Sequence, residues 1–258
     1  MDLDLKDKLF VVLGASSGFG KAISERLIQE NAQVIAVARR ADLLRCQTKP
    51  DCERYIAMQA DVVSEGFIDN LVKQLDGKTL HGIVLNAGGP PAGGFMEIKP
   101  EQWMDAFHQV FFWKVKLLQQ LIPIFSAVGY GRIVLIESVS VKQPVKQLVL
   151  SNAFRAAVAG MVRTLADEVA GNGITINIMA PGYHETDAMK RLFVKKSETL
   201  GIGLEEAREL FAGETGTGSM GNPDHFAELA AWLLSPSSGY ITGQVISVSG
   251  NLVKGIMG

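Results

Sequence analysis

Leu9-Phe10-Val11-Val12-Leu13-Gly14-Ala15-Ser16-Ser17-Gly18-Phe19-Gly20 is an apolar run that breaks into a turn with three glycines. Five apolar residues in succession suit a strand buried on both faces, and the glycines mark where it must turn. Gly14 permits the sharp turn, Gly18 leaves the backbone bare enough for a pyrophosphate to approach, and Gly20 lets the next helix pack against the strand. Residues 21–30 read as that helix, its free N–H groups and positive dipole end directed at the phosphates. A strand before the turn and a helix after it favour a dinucleotide site over the alternative, a tight turn with no ligand.

Further along, apolar, β-rich runs recur at 33–37, 55–59, 82–85, 132–136, 175–179 and 244–248, separated mainly by helical stretches. That alternation predicts an α/β fold, a Rossmann-type doubly wound parallel sheet with helices on both faces and right-handed crossovers. Ligands in such sheets bind beyond the carboxyl ends of the strands, so chemistry is to be sought just after each run. The chain has 258 residues, 47% hydrophobic and 20% charged, and no Pro/Ser-rich linker interrupts it, so one domain over 1–258 is expected. A net charge of −2 supplies no basic field for nucleic acid and no reason for a membrane surface as partner. The charged opening over 1–8 does not suit a signal peptide, and no apolar run reaches the ~18 residues of a membrane span; a cytoplasmic protein is expected. Cys46 and Cys52 lie in a polar connection with no histidine nearby, so free thiols are expected rather than a metal set or a disulfide framework.

After the second run comes Ala38-Arg39-Arg40. An acidic side chain there would bind a ribose 2′-hydroxyl and repel a 2′-phosphate, whereas arginine offers that phosphate planar donors. NADP(H) is therefore favoured over NAD, although two solvated arginines at a loop start would read the same way. Asp61-Val62, after the third run, can bracket an adenine edge, or Asp61 can settle a turn before Ser64. Asn86-Ala87-Gly88-Gly89-Pro90, after the fourth, is small enough to let backbone approach a ligand, and Asn86 can equally hold two strands together.

These features together resemble the short-chain dehydrogenase/reductase family. Its glycine turn is matched by Gly14-Ala15-Ser16-Ser17-Gly18-Phe19-Gly20, its adenine-side pair by Asp61-Val62 and its sheet-stabilising motif by Asn86-Ala87-Gly88. Ala180-Pro181-Gly182-Tyr183-His184-Glu185-Thr186 resembles the segment bordering the nicotinamide, which implies that Thr186 holds the carboxamide. Tyr240-Ile241-Thr242-Gly243-Gln244 resembles the approach to the family's last strand. The likeness runs from about Lys8 to Gly250.

It departs where the chemistry is done. In the family a serine is followed thirteen residues later by a tyrosine and four further on by a lysine, while an asparagine on the preceding helix orders a water. Ser138 is present, but Ser151 occupies the tyrosine position, Arg155 the lysine position and, in the helix expected over 103–121, Val110 the asparagine position. The tyrosine would donate a proton and the lysine would lower its pKa and bind the nicotinamide ribose. A serine hydroxyl is a far weaker acid. Arg155 keeps a cation and five donors for ribose hydroxyls but, with a pKa above ~12, does not act as an acid near neutrality. What remains is an oxyanion-stabilising set of Ser138, Ser151 and Arg155 rather than a proton donor. Lys142 and Tyr183 are candidate substitutes, although Lys142 reads more readily as a solvated loop lysine and Tyr183 as readily as a packed ring, and His184 is not expected to take part. Glu137 is expected to face away from Ser138, since neighbours on a strand alternate.

The stretch 142–155 resembles a divergent, ketoacyl-carrier-protein-reductase-like branch of the family that lacks the tyrosine and lysine. Residues 187–221 match the expected substrate lid, helical around 189–197 and 205–212 and glycine-rich over 213–221. Two classes of function fit: an NADP-dependent oxidoreductase acting on a small-molecule or acyl-thioester substrate with a carbonyl or conjugated enone, or a catalytically silent NADP-binding sensor or structural partner. No metal site is indicated. The family likeness also implies a homo-oligomer, tetramer or dimer, through the helices over 103–127 and 152–171. The aromatic run Phe107, Phe111, Phe112, Trp113 is more apolar than one buried helix face requires.

Overall fold

A computed structural model of the chain describes residues 2–44 and 52–256. Its elements run β1 (Leu9–Leu13), α1 (Gly18–Gln29), β2 (Gln33–Ala38), β3 (Tyr55–Gln59), α2 (Phe67–Gln74), β4 (Leu80–Leu85), α3 (Pro100–Ala106), α4 (Trp113–Val128), β5 (Gly131–Ile136), α5 (Val149–Val169), β6 (Ile174–Pro181), α6 (Asp187–Leu200), α7 (Leu204–Gly213), α8 (Pro223–Leu234) and β7 (Val245–Val248). The strands form one sheet in the order β3-β2-β1-β4-β5-β6-β7. Every adjacent pair is parallel.

Alternation along β1 builds the two covered faces. Phe10 and Val12 join a core with Ile23 and Leu27 of α1 and Phe226 and Ala230 of α8. Val11 and Leu13 point the other way, into a core with Leu117 and Leu121 of α4 and Val158 and Val162 of α5. A strand buried on both faces is apolar at every position, which is why β1, β2 and β5 carry near-continuous Val, Ile and Leu. The order reverses between β1 and β4, whose carboxyl ends open the crevice where such sheets bind ligands.

The expected sheet is present, with shifts at its edges. The first helix starts at Gly18 rather than 21, so the glycine turn itself supplies its first N–H groups. Two further residues, Leu80 and His81, lengthen β4 at its start. The helix expected over 103–127 is not uniform: between α3 and α4 the backbone widens to π geometry over Phe107–Phe112. Such widened turns are frequent at functional sites. The helices expected around 189–197 and 205–212 run slightly longer, as α6 and α7, and pack on each other through Phe193 and Phe211, whose rings lie 5.6 Å apart. Cys52 is a free thiol. Cys46 lies outside the described residues.

Candidate active site

Beyond the carboxyl ends of β1, β2, β4 and β5 opens a cavity of about 1130 Å³, more than the ~300–1,000 Å³ of a typical small-molecule pocket. Its glycine-turn wall comprises Gly14, Ser16, Ser17, Gly18 and Phe19. The turn is held tightly. Gly14 has φ +68°, and a Cβ there would meet Asn86 Nδ2 at 2.7 Å. A Cβ on Gly20 would meet the Gly14 carbonyl oxygen at 2.3 Å, so Gly20 serves the packing of α1 on the turn rather than the cavity wall.

Arg39, Arg40, Asp61 and Val62 line the same cavity. Arg40 Nη2 donates to Ser16 Oγ at 3.2 Å and to Ser17 Oγ at 3.1 Å, which lays its guanidinium across the turn. Arg39 uses its carbonyl to accept from Gln59 Nε2 at 3.0 Å. Asp61 takes the turn role. Its Oδ1 accepts from the Val63 N–H at 3.2 Å and its carbonyl from Ser64 Oγ at 2.7 Å, settling the turn, while the residue also lines the cavity. Asn86, Ala87 and Gly88 continue the wall, and Thr186 closes it from the start of α6, where its Oγ1 caps the helix by accepting from the Met189 N–H at 3.3 Å. Pro181 ends β6, and Gly182 packs on Ser249, where a Cβ would come within 2.9 Å.

The inner end of the cavity holds Arg155. Its Nε donates to Ser151 Oγ at 3.0 Å and its Nη1 to Glu137 Oε2 at 2.7 Å, while Nη2 lies 3.4 Å from the place a Cβ on Gly89 would take. Ser151 and Arg155, at the positions where the family likeness implies a tyrosine and a lysine, are thus bonded to each other, one helical turn apart on α5. The other oxygen of Glu137 is taken by Lys114 Nζ at 2.5 Å. All three are buried. Burial pushes the Lys114 ammonium below its ordinary value, Glu137 opposes that and Arg155 adds to it.

Glu137 stays on the sheet, its N–H donating to the Met179 carbonyl at 3.0 Å, and its carboxylate meets Arg155 on the cavity side, whereas Ser138 is not among the described residues that line the cavity. Lys114 was missed. It stands four residues past Val110 within Trp113-Lys114-Val115-Lys116-Leu117-Leu118, and a lysine flanked by core residues one turn from a known catalytic position was the available signal.

Ser138 caps a short turn over Val139–Val141, its Oγ accepting from the Ser140 N–H at 3.2 Å. Ser138, Ser151, Lys142, Pro181, Gly182 and Tyr183 are not among the described residues that line the cavity. Tyr183 donates to Glu214 Oε2 at 2.9 Å, and burial with that bond pushes its phenol up to about 12. A phenol so placed is a poor acid near neutrality. His184 packs edge-on against Phe19 at 5.0 Å, and burial lowers its pKa, as suits a neutral ring in a packed cluster. Gln109, Ala188, Lys190 and Arg191 also line the cavity and carried no sequence signal.

Residues 8–197 match the short chain dehydrogenase family. Among curated proteins the chain is 28% identical to a 3-oxoacyl-[acyl-carrier-protein] reductase of Vibrio cholerae serotype O1, over 97% of this chain and 99% of that one. Among solved structures it resembles the L-sorbose reductase of Gluconobacter frateurii complexed with NADPH and L-sorbose, with a TM-score of 0.92, 26% identity and coverage of 99% and 100%. It also resembles an NADPH-bound short chain oxidoreductase of Pseudomonas aeruginosa PAO1 described as containing an atypical catalytic center, with a TM-score of 0.86, 27% identity and coverage of 97% and 99%.

Proposed function

Because the chain belongs to the short chain dehydrogenase family, we propose that it is an NADP(H)-dependent reductase of conjugated enones or activated carbonyls, with an arginine-centred site in place of tyrosine and lysine. The observation that carries this reading is Arg155, fixed by Glu137 and Ser151 and turned to the cavity that the glycine turn enters. The donor set suits a phosphorylated dinucleotide. Gly14, Ser16, Ser17, Gly18 and Phe19 would hold the pyrophosphate, Arg39 and Arg40 the 2′-phosphate, Asp61 and Val62 the adenine, and Asn86, Ala87, Gly88, Arg155 and Thr186 the nicotinamide end, bordered by Pro181 and Gly182. NADPH, when bound, supplies the hydride.

A guanidinium is a poor proton donor near neutrality, so Arg155 offers positive charge and N–H donors to a developing negative charge rather than an acid. A preorganised cation in a site shielded from water acts most strongly on charge that develops during reaction. Addition of hydride to an enone spreads that charge into an enolate, which Arg155, with Ser151 beside it, can hold until a proton arrives. Reduction of an unactivated ketone concentrates the charge on one oxygen that needs an acid at once, and no acid replaces the tyrosine at Ser151.

The test is purified protein with NADPH against enones, 3-ketoacyl thioesters and unactivated ketones, followed at the nicotinamide absorbance. Enones are expected to be consumed and unactivated ketones to be poor substrates. NADPH binding without oxidation across the whole panel would replace the enzyme by a cofactor-binding sensor. Simple ketones reduced at an ordinary ~10 s⁻¹ would overturn the enone reading.

A further inference from the structure

Lys114 holds its ammonium almost out of water without lining the cavity. Its Nζ lies 2.5 Å from Glu137 Oε1, and Arg155 Nη1 lies 2.7 Å from Oε2. One carboxylate therefore stands between two cations. The Glu137 side chain is 0% exposed and Lys114 4%, against 11% for Arg155, so the array reaches the cavity through the arginine. With Lys114 protonated, two positive charges face one negative. When Lys114 is neutral, Glu137 balances Arg155 and nothing is left over.

Uncompensated buried charge is costly and is relieved either by loss of a proton or by gain of a counter-ion. We propose that the inner wall of the cavity takes an anionic oxygen of the substrate at Arg155 together with a proton on Lys114. The proposal rests on the reduction described above only for the identity of that ligand. The oxygen belongs either to a carboxylate the substrate carries or to the enolate formed as hydride adds. Lys114 touches no reacting atom and acts through Glu137 and Arg155, as a positioning residue.

The charged groups acting on Lys114 are Glu137, just past β5, and Arg155, on α5, and the Trp113 ring lies 5.5 Å from its Nζ. Burial and Arg155 both bring loss of its proton below the ordinary 10.5, and an anion on the open side of Arg155 would work against that loss. As pH rises through the Lys114 pKa of the empty site, each anion bound must bring a proton back. Its affinity then falls by about tenfold per pH unit.

Crotonate, an unsaturated carboxylate, and the neutral crotonamide are titrated calorimetrically into the full-length protein saturated with NADP⁺, which has no hydride to give. Buffers of different ionisation enthalpy report the protons taken up. Crotonate is expected to bind with proton uptake and with an affinity that declines at high pH, and crotonamide to show neither. Lys114→Arg keeps the cation but does not titrate, so it should retain crotonate affinity and flatten its pH dependence. Lys114→Met, which leaves Glu137 and Arg155 as a balanced pair, should weaken crotonate by about tenfold or more and also flatten it. If crotonate does not bind while turnover of a neutral enone declines with pH in the unaltered protein and not in Lys114→Arg, the anionic oxygen is the enolate. A proton count of zero at every pH, the high end of the range included, the same pH dependence in Lys114→Arg, or neither crotonate binding nor pH-dependent turnover overturns the proposal. Persistence of the crotonate linkage in a protein that reduces nothing removes the proposed function and leaves this inference standing.

Discussion

Arg40, Glu137 and Tyr183 each meet a partner that residue type alone does not specify. Arg40 bridges the two hydroxyls of the glycine turn, which fixes its guanidinium on the wall where the proposed 2′-phosphate contact is expected. Arg40→Ala should cost about 1.5–3 kcal/mol of NADPH binding, the range for charge-assisted hydrogen bonds, and leave NADH nearly unchanged. Calorimetry with both cofactors checks this, and equal affinities in the unaltered protein would contradict the preference. Glu137 balances two buried cations, so Glu137→Gln leaves Lys114 and Arg155 to repel each other out of water. A loss of about 3–5 kcal/mol is expected, read as a lowered urea midpoint at unchanged slope. The arginine pair was legible in the sequence because its chemistry is local, following a strand end by one residue. Lys114 with Glu137 was not, because they lie far apart along the chain and only the sheet brings the end of β5 against α4.

At the scale of elements, α1 and its turn form one unit and the lid another. Gly20 faces the Gly14 carbonyl so closely that a methyl group must push α1 off the turn, with backbone on both sides and no flexible side chain to yield. Gly20→Ala is therefore expected to cost about 1–3 kcal/mol of stability and to weaken NADPH binding in parallel, both measurable on one preparation. On the lid side, Tyr183 ties the end of β6 to α7 through Glu214, with Phe211 packed edge-on at 5.1 Å. Its phenol is pushed from the ordinary 10.0 up to about 12. A folded-state value above the unfolded one means that this contribution to stability is fully present below pH 10 and is lost as pH climbs towards 12. Ultraviolet titration of the protein against Tyr183→Phe should place the missing phenolate step near the top of that window, and a step near 10 would remove the latch. Strands and helices were readable from period and turn residues. The π segment over Phe107–Phe112 was not, since Phe107, Val110 and Phe111 fit an α-helical face as well as a widened one, and contacts with α5 select between them.

For the whole molecule, the parallel sheet and its two cores leave the α4 and α5 side as the candidate surface for self-association. Phe107, Phe111 and Phe112 remain only half-buried, although Phe107 lies 5.8 Å from Phe111, 5.2 Å from Phe112 and 6.0 Å from Phe154. Half-buried aromatic clusters of this kind commonly complete themselves against a second copy. Light scattering at micromolar concentration should give a dimer or tetramer, and Phe112→Asp should shift it to a smaller species; a monomeric unaltered protein would contradict the expectation. No helix among the described residues is long and apolar enough to cross a membrane. By itself the sequence determined the α/β sheet, the glycine turn and the absence of tyrosine and lysine at Ser151 and Arg155, because each is set by spacing along the chain. Only the tertiary structure decided which groups gather around Ser151 and Arg155. The ionic array of Lys114, Glu137 and Arg155 joins three distant segments, and its charge balance depends on burial, which exists only once the sheet has closed over it.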